Sequence, residues 1–240
     1  MAQTITVDFT RPAPLFPLGN TVLLPHAVQG LHVFEPRYRQ MVEACLSEMT
    51  AGSLLTARPI AMATVDADSP SVARGVPALR PAVCVGQIVQ HQRLPDGRHT
   101  ILLHGVCRAE IVAIEEADGK RLYRQARLRP LESAPGGPPR MPEARRVLQQ
   151  LLQRPRVQRL SSVKAASAWA EREDVPTAAV VELVGAALIQ DEAARYALLA
   201  CADPWERARM VARAISGLEC VVAGADAQGS REWPKGLSWN

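Results

Sequence analysis

One short stretch of the sequence combines side chains that are typical of binding sites. Phe34, Glu35, Arg37, Tyr38 and Arg39 lie close together on either side of a proline. Aromatic residues and arginine carry much of the binding energy in protein interfaces, so this stretch is a candidate partner-binding site. A structural interpretation is also open, in which Phe34 and Tyr38 pack in the core while Arg37 bonds Glu35 or backbone carbonyls to hold a turn.

A second candidate is a basic segment from Lys120 to Arg159, which has eleven basic and two acidic residues and a net charge of +9. Such a segment could follow the phosphates of a nucleic acid or bind an acidic protein. It could also be balanced within the molecule, because residues 171–192 have a net charge of −5. Few aromatic side chains are present to stack on bases, which makes nucleic acid the weaker partner. The residues proposed for this basic surface are Arg124, Arg127, Arg129, Arg145 and Arg146.

The sequence offers little for catalysis or metal binding. Its five cysteines are far apart and its five histidines form no H-x-x-x-H or H-E-x-x-H pair, so we expect free thiols and no metal or cofactor. Ser161, Ser162 and Lys164 are neighbours, but proximity along the chain does not activate a nucleophile, and a solvated loop leading into a helix explains them. The chain is therefore predicted not to be an enzyme.

Length and composition agree with a globular protein of one or two domains. The 240 residues are 48% hydrophobic and carry a net charge of +4. No run of about 18 apolar residues occurs, which predicts that no segment spans a membrane. The N-terminus has no basic region followed by a continuous apolar run, so it does not resemble a secretory signal. These features predict a cytoplasmic protein.

The elements that would position the candidate residues divide at a Gly/Pro-rich stretch, 135–139. Before it, the patterns predict strands at 15–18, 29–34 and 54–62, and a helix that begins at Pro36 and presents one apolar stripe. Pro95-Asp96-Gly97 between two strand-like runs predicts a hairpin, and six or seven strands in a meander point to a barrel. Residues 66–81 are expected to form a surface loop. After the boundary, 3.6-residue periodicity predicts helices at 141–153, 177–190 and 192–201, and a last helix that begins at Pro204.

Residues 14–46, PLFPLGNTVLLPHAVQGLHVFEPRYRQMVEACL, resemble the opening of the Lon protease N-terminal domain family, also called the Lon substrate-binding domain. The resemblance continues through Val85-Gly86-Gln87-Ile88, the L-P-D-G-R turn and the I-L-L-H-G-V-C-R-A-E-I strand. Gly105 with Arg108 looks like the family's G-x-x-R element, and the segment A-L-L-A-C-A-D-P-W-E-R-A-R-M resembles its helical end. The similarity covers about residues 11–220.

This resemblance implies an α+β fold, with a PUA-like pseudobarrel at 11–131, a helical bundle at 140–221 and a loosely ordered tail at 222–240. It also implies a stand-alone bacterial relative of the module with which Lon recognises substrates, because the ATPase and Ser-Lys protease domains of full-length members are missing here. The expected partners are unfolded or tagged polypeptides, and the chain could act beside a separate protease. Because the implied fold is shared with RNA-binding domains, RNA binding through residues 120–159 is the alternative.

Overall fold

The computed structural model describes residues 5–66, 78–132 and 139–227. Most of the predicted loop at 66–81 lies outside these residues, as does the Gly/Pro-rich stretch apart from Pro139. The predicted loose tail at 222–240 is outside them from residue 228 onward. Residues 222–227 belong to the last helix.

Six strands form one sheet in the order β2-β5-β4-β3-β1-β6, with a further pairing of β5 to β6. They are β1 (Ala13–Leu18), β2 (Val28–Val33), β3 (Ile60–Val65), β4 (Leu79–Arg93), β5 (His99–Glu115) and β6 (Gln125–Pro130). Because β6 pairs with both β5 and β1, the five strands β1, β3, β4, β5 and β6 close on themselves. We call them the five-strand ring. The predicted α+β class, a PUA-like pseudobarrel followed by helices, is confirmed.

The ring is not a simple meander, because β1 runs parallel to β3, with Leu15 beside Ala61 and Leu18 beside Thr64. A parallel pair needs a long crossover, which the segment from β2 through the first helix supplies. Inside the ring, small and branched side chains fill the core tightly. The fully buried members of this cluster include Leu15, Ala61, Ala63, Val83, Val85, Ala109 and Ala126.

The predicted hairpin is confirmed: β4 and β5 pair in antiparallel register, from Arg93 opposite His99 to Ala82 opposite Glu110. Gly97 supplies the positive φ of 79° in the turn. Beyond the turn, β5 continues as one strand through Gly105. A Cβ at Gly105 would overlap the Leu24 carbonyl oxygen and lie 2.9 Å from its carbonyl carbon. A glycine is therefore needed where these two backbones approach.

The first helix, α1 (Pro36–Ser47), begins at the predicted proline and buries Tyr38, Met41, Val42 and Cys45 on one stripe. The strand predicted at 54–62 is wrong in its first half. Residues Leu54–Thr56 form a 3₁₀ turn, and β3 starts at Ile60.

The reason for this error lies outside the local sequence. Buried Gln87 donates through Nε2 to the Leu54 carbonyl at 2.7 Å and to the Ala57 carbonyl at 3.0 Å. The Thr56 hydroxyl donates to the Ser53 carbonyl at 2.7 Å. These side chains occupy carbonyls that a strand would use for its ladder.

By its contacts the chain divides into two units. The first takes the described residues up to Pro139 together with Ile189–Pro204, and the second takes Arg140–Leu188 and the described residues from Trp205. The helix α5 (Glu192–Ala200) therefore belongs with the strands. The predicted domains, 11–131 and 140–221, instead assign α5 to the helical domain.

Three side chains attach α5 to the sheet of the first unit. The Tyr196 hydroxyl accepts a hydrogen bond from the Ala82 amide at 2.8 Å, and Arg80 stacks over the Tyr196 ring at 3.7 Å. Buried Arg108 donates from Nε to the Leu199 carbonyl at 3.0 Å and pairs with Glu132 at 2.7 Å. Arg108 of the G-x-x-R element thus satisfies a carbonyl in the last turn of α5.

The second unit is helical and contains α2 (Pro142–Leu152), α3 (Ser161–Glu171), α4 (Thr177–Leu188) and α6 (Pro204–Ala227) from Trp205 onward. Glu182 interrupts the most apolar stretch of the sequence and is 2% exposed. It pairs with Arg207, 3% exposed, at 2.8 Å. A buried charge needs such a partner. None of the helices within the described ranges is both long enough and apolar enough to cross a membrane.

Candidate functional site

The strand β2 has an unpaired edge. Within residues 5–66, 78–132 and 139–227 it pairs with β5 alone, from Val28 opposite His104 to Val33 opposite His99. In the same register, the Gly105 amide donates to the Ala27 carbonyl at 2.9 Å. Bonded and non-bonded pairs alternate along an antiparallel ladder. The backbone N–H and C=O groups of Val28, Gly30 and His32 therefore face away from β5.

One face of this edge strand carries an exposed row of side chains. Val28 is 52% exposed and Phe34, directly after the strand, is 60% exposed. His32 lies between them, and its ring stacks on Phe34 with centroids 6.3 Å apart. Gly30 completes the row, and a Cβ placed there would meet no heavy atom within 4 Å. The row is an accessible, partly apolar strip beside unpaired backbone.

The turn from β2 into α1 is held by its own side chains. Glu35 is the N-cap in an extended conformation, and its Oε2 accepts a hydrogen bond from Arg37 Nη2 at 2.6 Å. The Tyr38 ring is buried against the Phe16 ring, with centroids 4.6 Å apart, and the Arg37 guanidinium carbon lies 4.9 Å from the Tyr38 ring centroid. Burial raises the pKa of the Tyr38 phenol. Of the two aromatic residues at the junction, Tyr38 packs inside and Phe34 faces solvent.

Arg39 lies beside the turn of the β4–β5 hairpin. A Cβ at Gly97 would be 2.5 Å from Arg39 Nη2, so this glycine leaves room for the guanidinium. Among the described residues, no hydrogen bond satisfies its buried Nε. The other charged groups in the turn, Asp96 and Arg98, pair with each other, and Arg98 lowers the pKa of Asp96 to about 2.

A histidine pair fixes α1 against the same hairpin. His99 is almost fully buried, and its Nδ1 is 2.9 Å from His91 Nε2. On its other side, His99 Nε2 is 3.4 Å from Glu43 Oε1 on α1. Through these contacts the hairpin packs against α1, which begins at the junction.

The basic segment is neutralised to a large extent within each unit. On the strands, Arg129 pairs with Glu110 at 2.5 Å and Arg127 with Glu115 at 3.5 Å. Among the helices, Arg154 pairs with Glu219, while Arg156 and Arg159 both pair with Asp226.

These carboxylates lie on β5 and α6, not in the acidic segment 171–192 that the sequence suggested. Arg145 does reach that segment, but it donates to the Arg172 carbonyl at 2.9 Å and to the Thr177 hydroxyl at 3.2 Å. Arg146 is exposed on α2. The five arginines proposed as one basic surface are thus distributed over both units, and nothing favours the RNA-binding alternative.

The residues considered for catalysis do not form a reactive group. Ser161, Ser162 and Lys164 occupy the exposed first turn of α3. Burial raises the pKa of Cys45 to about 12 and that of Cys107 to about 11, which keeps both thiols protonated at neutral pH. No group of three His, Cys, Asp or Glu side chains in the described part of the chain is arranged to hold a metal ion.

A cavity of about 330 Å³ lies between the N-terminal segment and the 3₁₀ turn of the first unit. Its cationic groups are already occupied. Arg58 donates to the Pro12 carbonyl and pairs with Glu48 at 3.5 Å, and Arg11 pairs with the same carboxylate at 3.0 Å.

Sequence reasoning found the junction residues but not the neighbouring edge. Val28, Gly30 and His32 were not singled out, because a strand pattern does not reveal which neighbours the strand will pair with. The glycine at position 30, inside an otherwise alternating strand, was the only available signal.

Comparisons with known proteins agree with this architecture. A family model described as the ATP-dependent protease La (LON) substrate-binding domain matches residues 12–216. No curated protein matches the sequence.

Two solved structures share the fold. The Lon N-terminal domain protein from Xanthomonas campestris is 22% identical, with a TM-score of 0.57, and the match covers 84% of this chain and 96% of that one. The N-terminal domain of a Mycobacterium avium complex Lon protease is 16% identical, with a TM-score of 0.60 and coverages of 86% and 98%.

Proposed function

Because the chain belongs to the ATP-dependent protease La (LON) substrate-binding domain family, we propose that it works in the cytoplasm as a non-catalytic module that binds exposed segments of protein substrates. Family membership indicates substrate recognition, and the proposal extends it to unfolded or tagged polypeptides. The 240 residues contain no G-x-x-x-x-G-K-[ST] motif for binding nucleotide phosphates. The proposal includes a separate protease that cleaves the bound substrate.

We place the binding site at the β2–α1 junction, with Phe34, Glu35, Arg37, Tyr38 and Arg39. The exposure of Phe34 carries this proposal: a large aromatic side chain is 60% exposed at the end of a strand with an unpaired edge. Aromatic anchors of this kind bury apolar surface on binding. In this assignment Phe34 contacts the polypeptide, while the Glu35–Arg37 pair and buried Tyr38 fix its position.

The test is fluorescence anisotropy with a labelled, permanently unfolded polypeptide, such as reduced and carboxymethylated α-lactalbumin. Phe34→Ala should weaken binding by about tenfold, which is the loss of about 1.4 kcal/mol expected for an interface anchor. Val112→Ala is the matched control, because Val112 on β5 is 63% exposed and lies outside the junction. It should bind as the wild type does.

The salt dependence provides a second criterion. Burial of apolar side chains should persist at high salt, whereas binding through phosphate contacts falls steeply as salt rises. Unlabelled RNA should not compete with the polypeptide. If wild-type protein does not bind the polypeptide, or if RNA displaces it, the proposed function is wrong.

A further inference from the structure

We propose that an extended segment of a substrate polypeptide adds to the free edge of β2 as a further strand, with an acidic side chain near Arg39. This inference rests on the proposed function and specifies how recognition takes place. The occupant is a single polypeptide segment in strand conformation, held mainly through its backbone.

The unpaired backbone of β2 is the first argument. The N–H and C=O groups of Val28, Gly30 and His32 face away from β5, and no strand of the described ranges pairs with them. An edge of this kind is a template for another strand. Main-chain hydrogen bonds supply affinity without regard to side chains, so strand addition suits a module that meets many unrelated unfolded chains.

The side chains along this edge leave space for an added strand. Gly30 is central, and a Cβ there would meet nothing within 4 Å, so a side chain of the added strand has room opposite it. Exposed Val28 and Phe34 lie on either side and can pack against apolar residues of the added segment. In the free protein the Gln29 amide donates to the Gly30 carbonyl at 3.0 Å, and an added strand must displace it.

Charge at the end of β2 is the second argument. The junction and the hairpin turn contain two carboxylates, Glu35 and Asp96, which pair with Arg37 and Arg98. Arg39 is the third guanidinium, and in the described part of the chain its buried Nε has no hydrogen-bond partner. Among the described residues Arg39 thus lacks a paired carboxylate, and an acidic side chain of the substrate would supply one.

Two variants at one position test the backbone argument. Gly30→Pro deletes the outward N–H, at an edge position where proline does not remove a ladder bond to β5. Gly30→Ala keeps the N–H and adds a Cβ that meets no neighbour. With a labelled peptide that alternates leucine and threonine and ends in aspartate, Gly30→Pro should weaken binding about tenfold. Gly30→Ala keeps the N–H and takes up only part of the space opposite the added strand, so it should weaken binding by less than about threefold.

Modified peptides test the same point with unaltered protein, in case Gly30→Pro fails to fold. In an added strand, every second N–H group of the peptide points towards β2 and the others point away from it. N-methylation of the residues whose N–H groups point towards β2 should abolish binding, while N-methylation of the other residues should be tolerated. Equal effects of the two methylation patterns would overturn strand addition. So would wild-type affinity in a folded Gly30→Pro protein.

A double comparison tests the acidic preference. Arg39→Gln should weaken binding of the aspartate peptide about threefold and should not change binding of an asparagine peptide, as expected for a partly exposed ion pair. Two peptides, one with the aspartate at the N-terminus and one with it at the C-terminus, report the orientation of the added strand. If Arg39→Gln changes the affinity of neither peptide, the proposed role of Arg39 is overturned. If Phe34→Ala impairs binding while Gly30→Pro does not, the proposed function stands and strand addition falls.

Discussion

The five-strand ring and the strand β2 differ in how completely their backbones are paired. Among the described residues, each ring strand pairs with two others of the ring, and β5 pairs with β2 as well, whereas β2 pairs with β5 alone. Every backbone group of a doubly paired strand can be satisfied within the protein, and such a strand contributes to stability. A singly paired strand keeps hydrogen-bonding capacity for a partner. The contrast suggests that the ring carries the stability of the first unit and β2 carries its binding.

Two glycines provide the largest test of this division. Gly105→Ala should destabilise the protein by about 3 kcal/mol, because the new Cβ would lie 2.9 Å from the Leu24 carbonyl carbon, and a backbone group cannot move away as the end of a flexible side chain can. Gly30→Ala on β2 should change the free energy of unfolding by less than about 0.5 kcal/mol. Urea unfolding followed by circular dichroism measures both.

Similar stabilities of the two alanine variants would remove the distinction between ring and edge. A Gly105→Ala protein that stays folded should still bind the unfolded polypeptide, because Gly105 does not face the free edge.

Two arginines provide the next test. Arg108→Met should cost about 2 kcal/mol, since methionine keeps much of the side-chain volume but leaves the Leu199 carbonyl and Glu132 without their donor. Arg39→Met should change stability by less than about 0.5 kcal/mol, because among the described residues its buried Nε has no hydrogen bond to lose. Urea midpoints of the two variants give the comparison, and equal losses would contradict it.

A smaller effect is expected at the edge itself. Gln29→Ala should strengthen binding of the alternating peptide by about threefold, because the Gly30 carbonyl is then no longer occupied by the Gln29 amide. Its stability should match the wild type. Weaker binding in Gln29→Ala, measured by the same anisotropy titration, would mean that the amide supports the peptide instead of competing with it.

Elements of the fold could be predicted where residues close together in the sequence determine them. The β4–β5 hairpin follows from Asp96-Gly97, and the start of α1 follows from Pro36 and the stripe behind it. The strand predicted at 54–62 failed because Gln87, thirty residues away, binds the carbonyls of the 3₁₀ turn. A propensity pattern carries no information about such a distant partner.

The candidate site shows the same limit. The types of Phe34 and Arg37 suggested binding, but the sequence did not distinguish exposed Phe34 from buried Tyr38. That difference arises because Phe16 of β1 packs on one ring and not on the other. Whether β2 has a free edge depends on how all the strands of the sheet are arranged. The N–H and C=O groups that make up this edge are the same for every residue type, so the sequence gives no sign of them. For this reason composition pointed to the junction and not to the edge.

The smallest predicted effect concerns pH and again belongs to the ring. Desolvation lowers the pKa of His91 on β4 and of His104 on β5 below the usual 6.5. As pH falls through about 6.5, the unfolded chain takes up protons that the folded protein does not, so stability should decline until the folded pKa values are reached. Above about pH 7 both states are neutral at these positions and stability should be flat. Urea unfolding between about pH 7.5 and pH 5.5 measures this slope, away from the range in which carboxylates titrate. His104→Gln should make the slope shallower and leave the part that comes from His91, and an unchanged slope in that variant would show that His104 does not contribute.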